Sequence, residues 1–447
     1  MFFDEKVELP LLAEADVVVA GAGPGGIGAA VMAARAGAKV VVAEHYGLPG
    51  GMASIGEVHP FMPNHFQDQP LDAPVYGEWM AAMRRYCTED EKSAIAAEEN
   101  APYSFWHRRA INKDVAALAA EELLLESGVK CLYHHEVVAV RKSGKTITEI
   151  VVHTPGGFGL IRGKCFVDAT GDGHLAAAAG CQFEMGDENG GCQPMTLCFK
   201  LGNVRTKFLS GSSISFDPEW RAELQNCYKA AIADGSLSCP RENLLIFPCP
   251  SMPDVVHFNT VRVIQLKSTD GGDFSAAEIE GRRQMRELFF WLRSVAPGFE
   301  NAVVHSMAVQ IGVRESRRIK GIDYLTVDAF AEAKKYPDGI ARCNYQVDIH
   351  SPYGKGTTYM HIPPEGGFYE VPYGCIVAED VDNLTIAGRP ISVDVAIHSS
   401  IRVMPPACSI GQAAGVAAAM AAAAGKKPFE LDGIAVREKL KSMGARL

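Results

Sequence analysis

Residues 17–30 read Val-Val-Val-Ala-Gly-Ala-Gly-Pro-Gly-Gly-Ile-Gly-Ala-Ala, and no other stretch constrains the fold as strongly. A β-branched run from Asp16 to Ala20 enters a Gly-x-Gly-x-x-Gly turn at Gly21, Gly23 and Gly26, and a small-residue helix is predicted over 27–36. In such a strand–turn–helix, Gly21 makes the tight turn and Gly23 lets backbone N–H groups approach a pyrophosphate. Gly26 lets the helix lie close to the strand, and the helix N-terminus faces the phosphate charge. A second strand, 39–43, ends in Glu44, about twenty residues downstream, where a carboxylate suits a ribose hydroxyl pair and repels a 2′-phosphate. Strand, turn, helix, strand and acid in register predict a dinucleotide site.

At 447 residues the chain exceeds one typical core, so two domains or one large α/β body are expected. A formal charge of −10 gives no electrostatic reason to bind nucleic acid or an anionic membrane. Residues 1–6 lack a basic region followed by a signal-length apolar stretch. The longest low-polarity run, 413–424, is mostly alanine and short for a bilayer. A cytoplasmic protein with no membrane span is therefore expected. The 12 cysteines include no Cys-x-x-Cys pair, so neither an iron–sulfur cluster nor a zinc ribbon is expected, and no metal.

Beyond Glu44 the chain runs His45-Tyr-Gly-Leu-Pro-Gly50-Gly51-Met52-Ala-Ser54. A double glycine just past the ribose-binding acid lets the backbone pass close to a flat ligand. Gly21–Gly26, Glu44 and Gly50-Gly51 together resemble the FAD-binding half of the glutathione-reductase-type flavoproteins. That resemblance implies FAD contacts at Gly21, Gly23, Pro24, Gly25, Gly26, Glu44, His45, Gly50, Gly51, Met52 and Ser54. Some related flavoproteins attach FAD through a histidine in this region, but the spacing of His45, His59 and His65 does not demand it, and ordinary polar contacts are expected.

Residues 71–125 read as mostly helical, with Trp79, Met80, Met83 and Tyr86 spaced as one buried face. From 129 the period becomes that of strands. Segments 129–133, 136–141, 147–154 and 159–165 alternate or run apolar, joined by turn residues, and predict an antiparallel meander. It feeds a parallel strand at 165–168 and then Ala169-Thr170-Gly171-Asp172-Gly173. The family resemblance implies that this meander is inserted between the two halves of the FAD fold. It also implies cofactor contacts at Val137, Ala169, Thr170, Gly171 and Asp172.

Residues 186–371 depart from the dinucleotide pattern and read as a substrate-side domain with a mixed or antiparallel sheet. Arg314 and Arg317 lie among apolar neighbours, so at least one should turn inward. His257 and His305 read as core histidines. The chain then returns through a strand at 383–387, Gly388-Arg389, and 394–412, where Pro405 and Pro406 suit a helix start. The small face Gly411, Ala414, Gly415 and Ala418 should let this helix lie against the first. Asn383-Leu-Thr-Ile-Ala-Gly-Arg389, Ser400-Ile-Arg-Val-Met-Pro405 and Gly411-Gln-Ala-Ala-Gly-Val-Ala-Ala418 together resemble a bacterial FAD-dependent oxidoreductase family, distantly similar to the fumarate-reductase and succinate-dehydrogenase flavoproteins.

The resemblance spans nearly the whole chain and is weakest between about residues 205 and 300. It implies an α/β fold: a Rossmann-like FAD-binding domain at 1–200 and 365–447 with the inserted β-meander, plus a mixed α+β substrate domain at 201–364. Further FAD contacts are implied at Gly388, Arg389, Ser409, Gly411, Gln412 and Ala413. The sequence departs from the family at Asp394-Val395, where a Thr-His pair is common.

A flavin exchanges a hydride at N5, and its reduced ring carries negative charge that a helix N-terminus can offset. The turn near 408–412 is the candidate for that role. His398 and Arg402 precede the helix, and Arg314, His350 and Tyr353 could face them across a cleft. Such a set suits two reactions on a small polar substrate. It could bind a carboxylate and protonate a carbanion in alkene reduction, or a histidine could take the proton of an alcohol, sugar or hydroxy acid as the hydride leaves. A flavin monooxygenase-like enzyme and a non-catalytic FAD-binding electron-relay scaffold are the alternatives. No second Gly-x-Gly-x-x-Gly follows a strand, so the electron donor or acceptor is external. A homo-oligomer is compatible with everything above.

Overall fold

In the computed structural model the apolar run before the glycine turn forms the strand Leu11–Ala20, whose last four residues are buried. The structure describes residues 8–67, 69–97, 109–210, 215–362 and 366–447. The expectations for 1–6 and for the part of the helical stretch at 98–108 lie outside the described residues. Among the described residues, seven strands make one sheet. Its order is Lys130–Tyr133, Val40–Glu44, Leu11–Ala20, Gly157–Asp168, Thr146–Thr154, Glu136–Ser143, with Leu384–Ile386 also pairing with Gly157–Asp168. The first four and Leu384–Ile386 run parallel. The Val-rich run of Val40–Glu44 and that ending Leu11–Ala20 are what burial on both faces requires.

The meander differs from expectation in two ways. Lys130–Tyr133 is not its first strand but a parallel neighbour of Val40–Glu44. Helix Lys113–Glu126 is the crossover that returns the chain in the parallel sense. A strand's own alternation carries no record of its partner's direction. Segments 159–165 and 165–168 are one strand, Gly157–Asp168, which changes partner along one edge. Its first half takes the antiparallel hairpin partner Thr146–Thr154, and Phe166 to Asp168 take Leu384–Ile386.

Helix Pro24–Arg35 packs lengthwise on helix Met404–Ala424, which includes the alanine-rich run at 413–424. Both are built of small residues, so their backbones nearly touch. A Cβ on Gly411 would sit 1.9 Å from the Gly25 carbonyl oxygen, and one on Gly415 would sit 2.0 Å from that of Ala29. Met404–Ala424 is long and apolar enough to cross a membrane by length and composition, yet 78% of its most apolar window is buried inside the protein. Of the predicted face on Val75–Arg84, Trp79, Met80 and Met83 are buried. Tyr86 lies beyond the helix end and is exposed, donating to Glu122.

A second core gathers residues from Met195 to Val313. It covers an antiparallel sheet ordered Ile246–Pro248, Val256–Phe258, Phe199–Gly202, Val303–Met307. Helices Pro218–Ala233 and Gly271–Val295 begin at Asp217 and Asp270, whose carboxylates accept from first-turn N–H groups. Phe199 and Phe258 stack at 4.7 Å between ring centres. Ile319, Phe330, Ile340, Cys343 and Val347, expected in the substrate domain, instead pack with the first core. The pair Lys200–Glu57 joins the two cores at 2.6 Å with both side chains buried. His257 is buried as expected, whereas His305 lies on the exposed edge strand Val303–Met307.

The helix contact generates a stability prediction. Gly415→Ala forces a methyl against backbone, and overpacking of this kind costs about 1–3 kcal/mol. Urea unfolding should show that loss, whereas Gly425→Ala at the helix end, where a Cβ meets no atom within 4 Å, should cost only the strain of its positive φ. An unchanged midpoint for Gly415→Ala would mean the helices are not in backbone contact.

Candidate functional site

The turn after Leu11–Ala20 opens onto a cavity of about 570 Å³ that continues to the second core. Helix Pro24–Arg35 starts at its wall. Its N-cap Gly23 offers no side chain, and Pro24 and Gly25 line the cavity, so no side-chain cap competes with a ligand for the first-turn N–H groups. Gly51 abuts this turn so closely that a Cβ there would lie 2.8 Å from the Gly23 Cα. Glu44 ends its strand with Oε2 accepting from Ala22 N at 2.6 Å and Oε1 from Tyr46 N at 2.9 Å. Burial raises its pKa, and those two N–H groups oppose the shift.

Gly21, Gly23, Pro24, Gly25, Glu44, His45, Gly51, Met52, Val137, Ala169, Thr170, Gly171, Asp172, Gly388 and Arg389 all line this cavity. Asp172 is not free for a ribityl chain on every side, because Arg389 Nη2 donates to its Oδ1 at 2.6 Å. Burial disfavours the Asp172 carboxylate, but Arg389 and His174 outweigh it and its pKa is lowered.

Other expected contacts lie elsewhere. Gly26 packs beneath the turn, Gly50 N donates to Ala22 O, and Ser54 Oγ donates to Pro49 O at 2.7 Å. Ser409, Gly411, Gln412 and Ala413 do not line the cavity either. The helix begins at Met404, with Val403 as N-cap and no side-chain cap, so residues 409–413 are past its first turn. There Gly411 meets the first helix, and Gln412 Oε1 accepts from Val75 N at 2.9 Å. The cavity instead meets Val403, Met404 and Ala407. Two helix starts without side-chain caps thus open on one cavity beside Glu44, and these residues fit FAD.

On the far side Arg314, His350 and Arg402 line the cavity, and His398 and Tyr353 do not. Tyr353 is on the outer surface, its Oη donating to Asp187 at 2.9 Å. His398 lies on helix Val395–Ile401, faces the core, and is fully buried with neither ring nitrogen partnered. Burial, then Arg318 and Arg402, push its pKa well below the usual value. Asp394, the departure from the family pattern, caps that helix: Oδ1 accepts from Ile397 N at 2.7 Å and Oδ2 from Val327 N at 2.6 Å.

The expected set omitted Asp348, Arg241 and Tyr345, which line the same end of the cavity. Asp348 was within reach of sequence reasoning. In the strand Val347–His350 it alternates with buried Val347 and shares the face of His350. Arg402 Nη2 donates to Asp348 O at 2.9 Å and lies 3.7 Å from its Oδ2. Burial works against the Asp348 carboxylate, but His350 and Arg402 more than offset it and hold it well below the carboxylate range. His350 Nδ1 lies 3.1 Å from Arg262 Nη2, and its Nε2 lies 3.5 Å from Asp348 Oδ1. Burial, and after it Arg314 and Arg402 against the pull of Asp348, lower its pKa to about 3.

Residues 16–440 match the family described as FAD dependent oxidoreductase. No curated protein matches the chain. Similar solved structures include AlpK, 13% identical with a TM-score of 0.40, over 91% of this chain and 62% of that one. The OxyS anhydrotetracycline hydroxylase from Streptomyces rimosus is 14% identical with a TM-score of 0.43, over 97% and 66%. A geranylgeranyl bacteriochlorophyll reductase-like protein from Thermoplasma acidophilum is 11% identical with a TM-score of 0.45, over 97% and 84%. The chain spans about two thirds of the length of the first two. At these values the likenesses bear on no reaction.

Two predictions follow from this geometry. Glu44→Ala should weaken FAD at least tenfold, about 1.4 kcal/mol, by equilibrium dialysis; unchanged affinity would remove Glu44 from the site. His59 and His350 have pKa values lowered to about 3, and those of His257 and His398 are also far below 6.5, burial being the largest cause for each. Below pH 6.5 the unfolded chain therefore binds more protons. The stability is fully present above that pH and is lost as pH falls toward 3, by about 1.4 kcal/mol per pH unit for each such histidine. Urea midpoints should drop steeply between about pH 6.5 and about pH 5, and His398→Leu should flatten the slope. A flat wild-type profile would contradict neutral burial.

Proposed function

The chain belongs to the FAD-dependent oxidoreductase family, and from that premise we propose that it transfers a hydride between flavin N5 and a small polar molecule held at the second-core end of the cavity. One observation carries this reading: a single cavity joins the glycine turn and Glu44 to Arg314, Asp348, His350 and Arg402. The cofactor would be held by Gly21 to Gly25, Glu44, Gly51 and Met52, Ala169 to Asp172, and Gly388 with Arg389. Bound FAD supplies the two-electron carrier. The start of Met404–Ala424 adds positive potential at the cavity wall, suited to charge that develops on reduction.

The scaffold alternative would be favoured by redox-inert FAD with both His398 and Arg402 buried away from the flavin ring. Of the two, only His398 is buried away from the cavity, and Arg402 lines it.

The proton-holding groups favour reduction of an activated double bond over alcohol oxidation. A guanidinium can only donate, so His350 Nδ1 accepts from Arg262 and the ring proton sits at Nε2, toward Asp348. His350 therefore orients Asp348 and is a poor base at neutral pH, and His398 is outside the cavity. A base for alcohol oxidation works best with a pKa near the operating pH. Tyr345 instead keeps a proton, its Oη lying 3.3 Å from Asp348 Oδ2, with burial and that carboxylate raising its pKa. Arg314 is fixed by donating from Nη1 to Pro194 O at 2.6 Å and Thr196 Oγ1 at 2.9 Å, and it can stabilise negative charge left on the substrate.

The test is a visible spectrum before and after acid precipitation, followed by anaerobic titration of the oxidised and chemically reduced protein. We expect a yellow supernatant from non-covalent FAD, and reoxidation of the reduced protein by an activated alkene. Bleaching of the oxidised protein by an alcohol would reverse the direction, and oxygen incorporated into product would favour the monooxygenase alternative. A colourless protein that takes up no FAD would overturn the reading.

A further inference from the structure

We propose that the second-core end of the cavity is an anion subsite in which Arg241, Arg314 and Arg402 bind the carboxylate of an organic acid, the substrate of the hydride transfer proposed above, on which this inference rests. Arg241 is the observation that calls for a ligand. It lines the cavity, is 9% exposed, and its Nη1 is buried without a partner. Its backbone carbonyl accepts from Tyr228 Oη at 3.0 Å, which fixes the chain there. Among the described residues its guanidinium makes no hydrogen bond or ion pair. Leaving a buried guanidinium in that state is costly unless something else meets it.

The neighbouring charges do not balance it. Arg314 uses only Nη1 on protein atoms, and Arg402 uses Nε and Nη2. Arg262, next to them, is already engaged by Glu242, His350 and Gly356. At this end of the cavity the three guanidinium groups share one lining carboxylate, Asp348, since the nearby Glu242 and Glu315 are paired with Arg262 and Arg318. Burial, then Arg241 and Arg402, disfavour the charge on Arg314, and burial followed by Arg262 disfavours that on Arg241. A guanidinium does not release its proton in a protein, so an anion is what relieves the excess.

The wall around the arginines decides which anion. Leu245 and Phe247, which follow Arg241 in the chain, and Val313, next to Arg314, line the same cavity, and they suit a hydrocarbon body attached to the charged group. A guanidinium fork matches a carboxylate edge in a bidentate geometry. The combination selects a carboxylate on a carbon skeleton over a free inorganic anion.

The experiment uses the full-length holoprotein and difference spectra of bound FAD. Probes are a series of short-chain saturated and unsaturated carboxylic acids, their neutral amides, and inorganic phosphate. Acids should perturb the flavin saturably, with the matching amides at least about tenfold weaker. Arg241→Gln should weaken the acids by at least about tenfold and leave the amides unchanged, and Arg241→Lys should recover part of the loss.

Equal binding of acid and amide, no perturbation by any acid, or displacement of the acids by phosphate at lower concentration would overturn the subsite. If Arg241→Gln fails to retain FAD, the acid–amide comparison in the wild-type protein decides. The two readings fail separately. Reduced protein reoxidised by amides but not by acids sinks the subsite and spares the hydride transfer. Acids that bind but exchange no electrons with the flavin do the reverse.

Discussion

The backbone contact between helices Pro24–Arg35 and Met404–Ala424 is the constraint on which the rest depends. A long helix could lie over the sheet at an ordinary spacing of about 8–10 Å from its neighbour. Here the facing residues are Gly25, Gly28 and Ala29 on one side and Gly411 and Gly415 on the other. A Cβ on Gly28, Gly411 or Gly415 would collide with the backbone of the opposite helix, and one on Gly25 would meet the Ala387–Gly388 backbone. The close approach brings the start of the C-terminal helix beside the start of the first helix. Gly388, Arg389 and Val403 reach the cavity for the same reason, although they lie far along the chain from the turn at Gly21. The second core, Met195 to Val313, is thus inserted into a nucleotide-binding frame that the C-terminal helix closes.

The insertion must then be held in register with the frame. Lys200, on the central strand of the second sheet, reaches Glu57, which follows the Gly50-Gly51 turn, and both side chains are buried. Glu57 adopts a left-handed φ of 46°, a conformation that costs a non-glycine residue about 1–2 kcal/mol. Buried pairs rarely add net stability relative to an apolar contact, but separating one costs about 3–5 kcal/mol. The pair therefore acts on placement. It fixes where the sheet bearing Lys200 sits relative to the loop beside the cofactor, and with it the position of Thr196 and Arg314 across the cavity.

What the sequence showed and what it hid follow from the range of the forces involved. The glycine turn, Glu44, Gly51-Met52, Ala169–Asp172 and Gly388-Arg389 were legible because each depends on backbone conformation a few residues long. The direction of Lys130–Tyr133 was not, since a strand's alternation is the same beside a parallel or an antiparallel neighbour. The assignment of 408–412 to a turn failed for a local reason: the two prolines suited the first helical turn, and Met404 had already begun it, so Ser409 to Ala413 belong to the packed helix. His398 misled because a histidine beside an arginine suggests chemistry, while His398 sits buried inside the short helix Val395–Ile401 and Arg402, the C-cap just past its end, reaches the cavity. Arg241 left no local sign at all. Its place in the site arises only when the second core folds over the first.

The cavity's charge distribution ties these levels together. Its nucleotide end carries Glu44, Glu136 and the Asp172–Arg389 pair, and its other end carries Arg241, Arg314 and Arg402 against Asp348. Acids at the ribose end suit hydroxyl groups, while the phosphate charge is left to uncapped helix N–H groups that need no counter-ion side chain. Beside the arginines, burial and after it Arg314 and Arg402 hold His350 neutral. Arg314 and Arg402 are held in place by donating to backbone carbonyls, and the Arg241 guanidinium beside them is left without a protein partner, so this end of the cavity carries fixed positive charge that the fold itself does not neutralise.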